Sequence, residues 1–140
     1  MDLSHITKLV REQLEEILMT ENISRNELKG LERYLDSLFA SLDIDVEFTR
    51  HFMDRMNDPR NKKEITPEEL KDSFEKTYQK YGKKISQLGP NTERVIADMK
   101  SDINIPFVLS WNPQTQMIEL INKTIMRKKN FLSYTPKLKV

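Results

Sequence analysis

DIDVEFTRHFMDRMNDPRNKKEITPEEL, from Asp43 to Leu70, changes its hydrophobic period twice, and those changes decide the fold class. Ile44, Val46 and Phe48 alternate with Asp45 and Glu47, which is the pattern of a short, half-buried strand. Thr49 is placed to cap a helix over Arg50 to Asn57, closed by Asp58-Pro59. On that helix Phe52, Met53 and Met56 supply apolar faces, while His51 and Arg55, at i and i+4, share another. Thr66-Pro67-Glu68-Glu69 is a capping box with proline at the first helical position. The helix it opens carries Leu70, Phe74, Tyr78 and Tyr81 on one stripe and is expected to stop at Gly82. Between the two helices, Asp58 and Asn61 are suited to accept from local backbone N–H groups, and Pro59 and the Thr66 cap restrict both ends. The loop Asp58 to Glu64 is therefore expected to be fixed by side chains, with Arg60 pointing outward beside the His51 helix.

Upstream, Leu3, Ile6, Leu9, Val10, Leu14, Ile17 and Leu18 recur at helical spacing, predicting a helix from Leu3 to Met19. Ser24 to Glu27 has capping-box spacing, and Leu28, Leu31, Leu35, Leu38 and Leu42 form a second stripe over a helix from Asn26 to Ser41. The short connection suggests an antiparallel pair. Downstream, Lys84 to Leu88 reads as a short strand, and Asn91 to Lys100 reads as helical through Val95, Ile96 and Met99. Ile105 to Trp111 and Gln116 to Met126 bracket the turn Asn112 to Thr115, the pattern of an antiparallel hairpin. The expected fold is α+β: an N-terminal helical pair and further helices on a small antiparallel sheet. No repeat, low-complexity tract or Gly/Ser linker divides the chain, so it reads as one domain. Its parts are a helical pair over 1–42, an α+β body over 43–132 and a basic tail over 133–140.

Composition excludes several chemistries. The 140 residues include no cysteine, so disulfides, thiol catalysis and thiolate metal sites are out, and two isolated histidines make no zinc set. No G-x-G-x-x-G, P-loop or G-x-S-x-G is present. No metal and no cofactor is expected. No apolar run approaches the roughly 20 residues of a membrane span, and the N-terminus is unlike a signal peptide. A soluble protein of a reducing compartment is the expectation. The net charge is +1, but Asn122 to Val140 carries six bases and no acid, which leaves about −5 for the first 121 residues. A basic C-terminal segment on an acidic body points toward an anionic partner.

Two resemblances rest on these residues. The run H-F-x-D-R-x-N-D-x-R-N from His51, then I-T-x-E-E-L from Ile65, I-N-I-P-F-V-L-x-W from Ile103 and K-T-I-M-R-K-K from Lys123, resembles a set of uncharacterised small proteins encoded by tailed bacteriophages. That likeness spans Phe48 to Phe131, some 60% of the chain. More distantly, Thr49, His51, Arg55, Ile65, Thr66, Glu69, Leu70, Lys123 and Thr124 resemble the pattern of the barnase, colicin and RelE-like ribonuclease superfamily. There S-x-H-A-x-x-R is followed by I-[ST]-x-x-[ED]-[IL] and by strands ending in a K-T or V-T step. The chain departs from that pattern at Phe52, where alanine is usual, in its longer Asp58 to Glu64 loop, and in its N-terminal helices. Tyr134, in the expected tail, stands alone where many toxins carry a catalytic tyrosine or histidine.

The first resemblance names no activity; the function read beside it is that of a phage-type accessory protein acting by protein interaction, as a virion component or a modulator of a host or phage factor. Its partner would be a phage or host protein, and its location the host cytoplasm or the virion. The leucine stripes would offer an oligomerisation surface for a homo-oligomer. The second implies a metal-independent endoribonuclease with RNA as partner. His51 would move protons and Arg55 would clamp phosphate, approached by Lys123 and Arg127. Arg60, Lys62, Lys63, Thr124, Lys128 and Lys129 would hold the RNA backbone. Convergence of His51, Arg55, Lys123 and Arg127 in one cleft would favour the nuclease.

Overall fold

A computed structural model describes residues 26–61 and 63–140. The helix expected from Leu3 to Met19, its pairing with the next helix, the Ser24 cap and Lys62 lie outside the described residues. Residues 26–39 form helix α1, which buries Leu28, Leu31, Leu35 and Phe39 on one stripe. A 3-10 turn over Ala40–Leu42 ends at Asp43, whose left-handed backbone (φ 56°) turns the chain into strand β1, Ile44–Phe48. Burial along β1 alternates as the apolar and acidic residues do. Thr49 Oγ1 accepts the Phe52 N–H at 3.0 Å and starts α2, Arg50–Met56. After a 3-10 turn at Pro59–Asn61, the Thr66 capping box opens α3, Pro67–Gln87. Its two halves are Glu69 N–H to Thr66 Oγ1 at 3.1 Å and Thr66 N–H to Glu69 Oε1 at 3.2 Å.

Helix α3 does not stop at Gly82. A Cβ on that residue would lie 3.2 Å from Leu42 Cδ1, so the glycine makes room for the 3-10 turn while the helix runs on to Gln87. Lys84 to Leu88, expected as a strand, is the last turn of this helix and its cap, anchored by buried Ile85.

Five more strands follow: β2 (Glu93–Asp98), β3 (Ile103–Asn112), β4 (Met117–Asn122), β5 (Met126–Arg127) and β6 (Lys137–Lys139). The sheet order is β1-β4-β3-β2-β6, with β5 also paired to β3. The fold is thus α+β, and the expected hairpin is β3–β4. The sheet is mixed rather than wholly antiparallel, because β1 runs parallel to β4 and β6 parallel to β2. A long crossover is what parallel neighbours require, and α2 and α3 supply it between β1 and the hairpin. Residues 91–100, expected as a helix, hold β2. Residues 95 to 98 are buried in succession, so the strand shows no alternation to read. The stretch expected as a basic tail, 133–140, carries β6, whose Leu138 is buried against β2.

Proline breaks one ladder in a useful place. Pro106 O accepts from Lys123 N–H at 2.9 Å, but Pro106 has no N–H to return. Lys123 O instead accepts the Thr49 hydroxyl at 3.1 Å, and Thr49 N–H donates to Asn122 O at 3.3 Å. The N-terminus of α2 is thereby tied to the gap between β4 and β5. Underneath, Phe48 stacks on Phe52 at 4.8 Å and meets Phe74 edge-on at 5.9 Å, joining β1, α2 and α3 in one core.

Side chains cover both outer strands, as exposed edges require. Lys139 O accepts from Lys80 Nζ and the Tyr81 hydroxyl. On β1, Val46 N–H donates to Asp36 Oδ1 at 2.7 Å, and α1 thus places Asp36 and Glu32 against Asp45 and Glu47. Burial, then the hydrogen bond shared with Asp45, pushes the carboxyls of both Asp36 and Glu47 up to about 7. These groups bind protons more tightly folded than unfolded, so their stabilisation is complete below about pH 4 and is lost as pH rises to about 7. The melting temperature should therefore fall between pH 5 and pH 8, and Asp36→Asn with Glu47→Gln should flatten that fall. An unchanged slope in the double variant would show that other groups set it. No helix among the described residues is long and apolar enough to cross a membrane.

Candidate functional site

Helix α2 buries Phe52 and Met56, while on the adjoining face His51 is exposed and Arg55 half-buried. Arg55 Nε donates to His51 Nε2 at 3.4 Å, a long contact. Arg55 Nη1 donates to Asp58 Oδ2 at 3.0 Å. Asp58 Oδ1 accepts the Arg60 N–H at 2.9 Å in an Asx turn, and Arg60 Nη2 returns to Asp58 Oδ2 at 2.9 Å. The Arg60 side chain and amide, with Arg55 behind them, hold the Asp58 carboxyl well below the usual carboxylate range. One acid therefore orients two guanidinium groups at the end of α2.

The loop is held as expected at Asp58 and Thr66, but Asn61 acts over a longer range than its neighbours in sequence suggested. Its buried amide donates to Arg55 O at 3.0 Å and accepts from Arg127 N–H, 66 residues away, at 3.2 Å. Asn61 thus pins the C-terminus of α2 to β5. Arg127 then reaches back: its guanidinium donates to Ser101 O at 2.8 Å, Glu64 O at 2.9 Å, Lys63 O at 3.3 Å and Glu69 Oε1 at 2.8 Å. This bond from Arg127 is the main cause of the lowered Glu69 carboxyl, ahead of opposing burial.

The result is a cleft of about 920 Å³ between α2, the 58–63 turn and the 124–129 segment. His51, Arg55, Arg60 and Lys63 line one side; Thr124, Arg127, Lys128 and Lys129 line the other. Among the described residues the lining holds two acids, Asp58 and Asp102, and Asp58 is spent on the arginines. Among the described residues, Lys63, Lys128 and Lys129 are exposed and make no ion pair. Lys123 lies outside the cleft lining and pairs with Glu93 at 2.8 Å. Arg127 borders the cleft, but its donors serve the framework. The structural roles of Asn61 and Asp58 could be foreseen only in part: an Asx turn is a local signal, whereas a contact with residue 127 leaves none. Among the described residues no group of acids and histidines is arranged to hold a metal ion.

Against known proteins, the chain matches no family model, no curated protein and no solved structure.

Proposed function

We propose that the cleft binds single-stranded RNA and cleaves it by a metal-independent route, with His51 as the proton-transfer group. The observation that supports this reading is the gathering of His51, Arg55, Arg60, Lys63, Lys128 and Lys129 from distant parts of the chain around one opening. Of the two leucine stripes on which a protein-interaction role would rest, residues 3–18 lie outside the described residues, and Leu28, Leu31 and Leu35 of the second are buried in the core.

The reaction suited to these groups is transesterification. The ribose 2′-oxygen attacks phosphorus, His51 takes the 2′-hydroxyl proton, and the P–O5′ bond breaks. The leaving 5′-oxygen takes a proton from solvent water, giving a 2′,3′-cyclic phosphate and a 5′-hydroxyl. Arg55 would stabilise the extra negative charge on the phosphorane, for which a planar fork is suited. Exposed lysines would hold flanking phosphates without reading base identity.

The test uses the purified full chain and an end-labelled single-stranded RNA in EDTA. Fragments ending in cyclic phosphate are expected, and a 2′-O-methyl group at the cleaved position should block them. Intact RNA would overturn the catalytic part. Binding is checked separately: with Arg60, Lys63, Lys128 and Lys129 each meeting a phosphate, log affinity should fall against log salt with a slope of about −3. A slope near zero would remove the backbone-binding part as well.

A further inference from the structure

Beyond β5 the chain makes a nine-residue excursion, Lys128 to Pro136, before rejoining the sheet as β6. It is tied at both ends. Lys128 N–H donates to Asp102 O at 2.8 Å, Asn104 Nδ2 donates to Lys128 O at 2.9 Å, and Pro136 O accepts the Val95 N–H at 3.1 Å. Lys137, at the start of β6, donates from Nζ to Phe131 O and sits over the Phe131 ring, and within the segment Thr135 N–H donates to Ser133 Oγ. On this anchored segment Leu132 is 89% exposed and Tyr134 fully so, the two most exposed large apolar side chains among the described residues. Its first two residues, Lys128 and Lys129, line the basic cleft.

We propose that residues 128–136 form a base-stacking arm of the cleft, with Tyr134 and Leu132 receiving bases of the single-stranded RNA whose phosphates lie on Lys128 and Lys129. This rests on the reading of the cleft as an RNA site and adds how the bases are held. Single-stranded nucleic acid presents two chemistries along one chain, a charged backbone and flat apolar bases. Proteins that hold it without sequence preference pair a basic groove with aromatic faces. Here both lie on one continuous segment. Tyr134 is five residues from Lys129, at most about 17 Å along the chain, so phosphate and base contacts fall within a few nucleotides of each other. Fixed ends limit the ordering entropy that a free tail would lose on binding. The concave basic lining favours a strand laid along it over a flat anionic membrane.

Fluorescence anisotropy with a labelled single-stranded RNA tests the arm, using the full chain and a non-cleavable 2′-O-methyl backbone. Tyr134→Ala should weaken binding roughly 10-fold or more, as loss of one stacked base does, with the salt slope and melting temperature unchanged. Tyr134→Phe should bind like the parent. An oligonucleotide with abasic positions should bind the parent as weakly as the intact one binds Tyr134→Ala, and that variant should not distinguish the two. If Lys128→Ala/Lys129→Ala weakens binding but Tyr134→Ala does not, the arm is overturned and the cleft reading stands. If the parent does not bind RNA, both fall. If Tyr134→Ala loses only binding to vesicles containing phosphatidylserine, the arm is a membrane contact and the proposal is wrong.

Discussion

Arg127→Ala is expected to lower stability by about 3 kcal/mol, the low end of the range for breaking a buried ion pair. In a domain of this size that displaces the melting temperature by on the order of 10 °C. The Arg127 side chain is 12% exposed and its Glu69 partner 24% exposed, so the pair is largely removed from water. Its removal leaves the Glu69 carboxylate with only the Thr66 cap and strips donors from the Lys63, Glu64 and Ser101 carbonyls. Those three carbonyls lie in turns near the surface, where water replaces part of the loss, which is why the low end applies. Arg127→Lys should recover little, since an ammonium cannot reach several acceptors across a fork geometry. Urea melts of the three proteins check this. A melting temperature unchanged in Arg127→Ala, with RNA affinity lost, would move Arg127 from framework to ligand contact.

His51→Ala carries the second large effect, this time on chemistry. Under the proposed reaction, RNA cleavage should fall by something like 10²- to 10⁴-fold, the usual contribution of a positioned acid–base group. Stability should hardly move. The ring is exposed, and its hydrogen bond with a described residue is the long one from Arg55. Arg55→Ala is the informative companion: it should lower kcat more than it raises KM, because the phosphorane carries more charge than the bound phosphodiester. Single-turnover cleavage alongside thermal melts separates the cases. Undiminished cleavage by His51→Ala would end the proton-transfer assignment, while a matching loss of stability would mark the residue as structural.

The parts of the fold legible in the sequence are those built from neighbours. Thr49 and Thr66 cap their helices through N–H groups three residues on, and β1 alternates because only one of its faces is fully buried. The hairpin around Asn112 to Thr115 is equally local. Strand β2 was hidden because it lies between β3 and β6 with residues 95 to 98 all buried, so Val95 and Ile96 fit a helical stripe as well as a strand. Gly82 looked like a helix end because its packing against Leu42, forty residues earlier, leaves no local trace.

The candidate site divides the same way. The pairing of His51 with Arg55 on one face of α2, beside the face that buries Phe52 and Met56, follows from their i, i+4 spacing alone. The sequence also determined that bases crowd the last third of the chain. Which of those bases are left without an ion pair among the described residues follows from contacts far apart in the chain. Lys123 meets Glu93 across thirty residues, and Arg127 meets Lys63, Glu64, Glu69 and Ser101, whereas Lys128 and Lys129, one and two positions further on, line the cleft without an ion pair among the described residues. Residue type sets what a cation can bind. What it does bind depends on which acceptor lies within about 3 Å, and long-range folding puts that acceptor there.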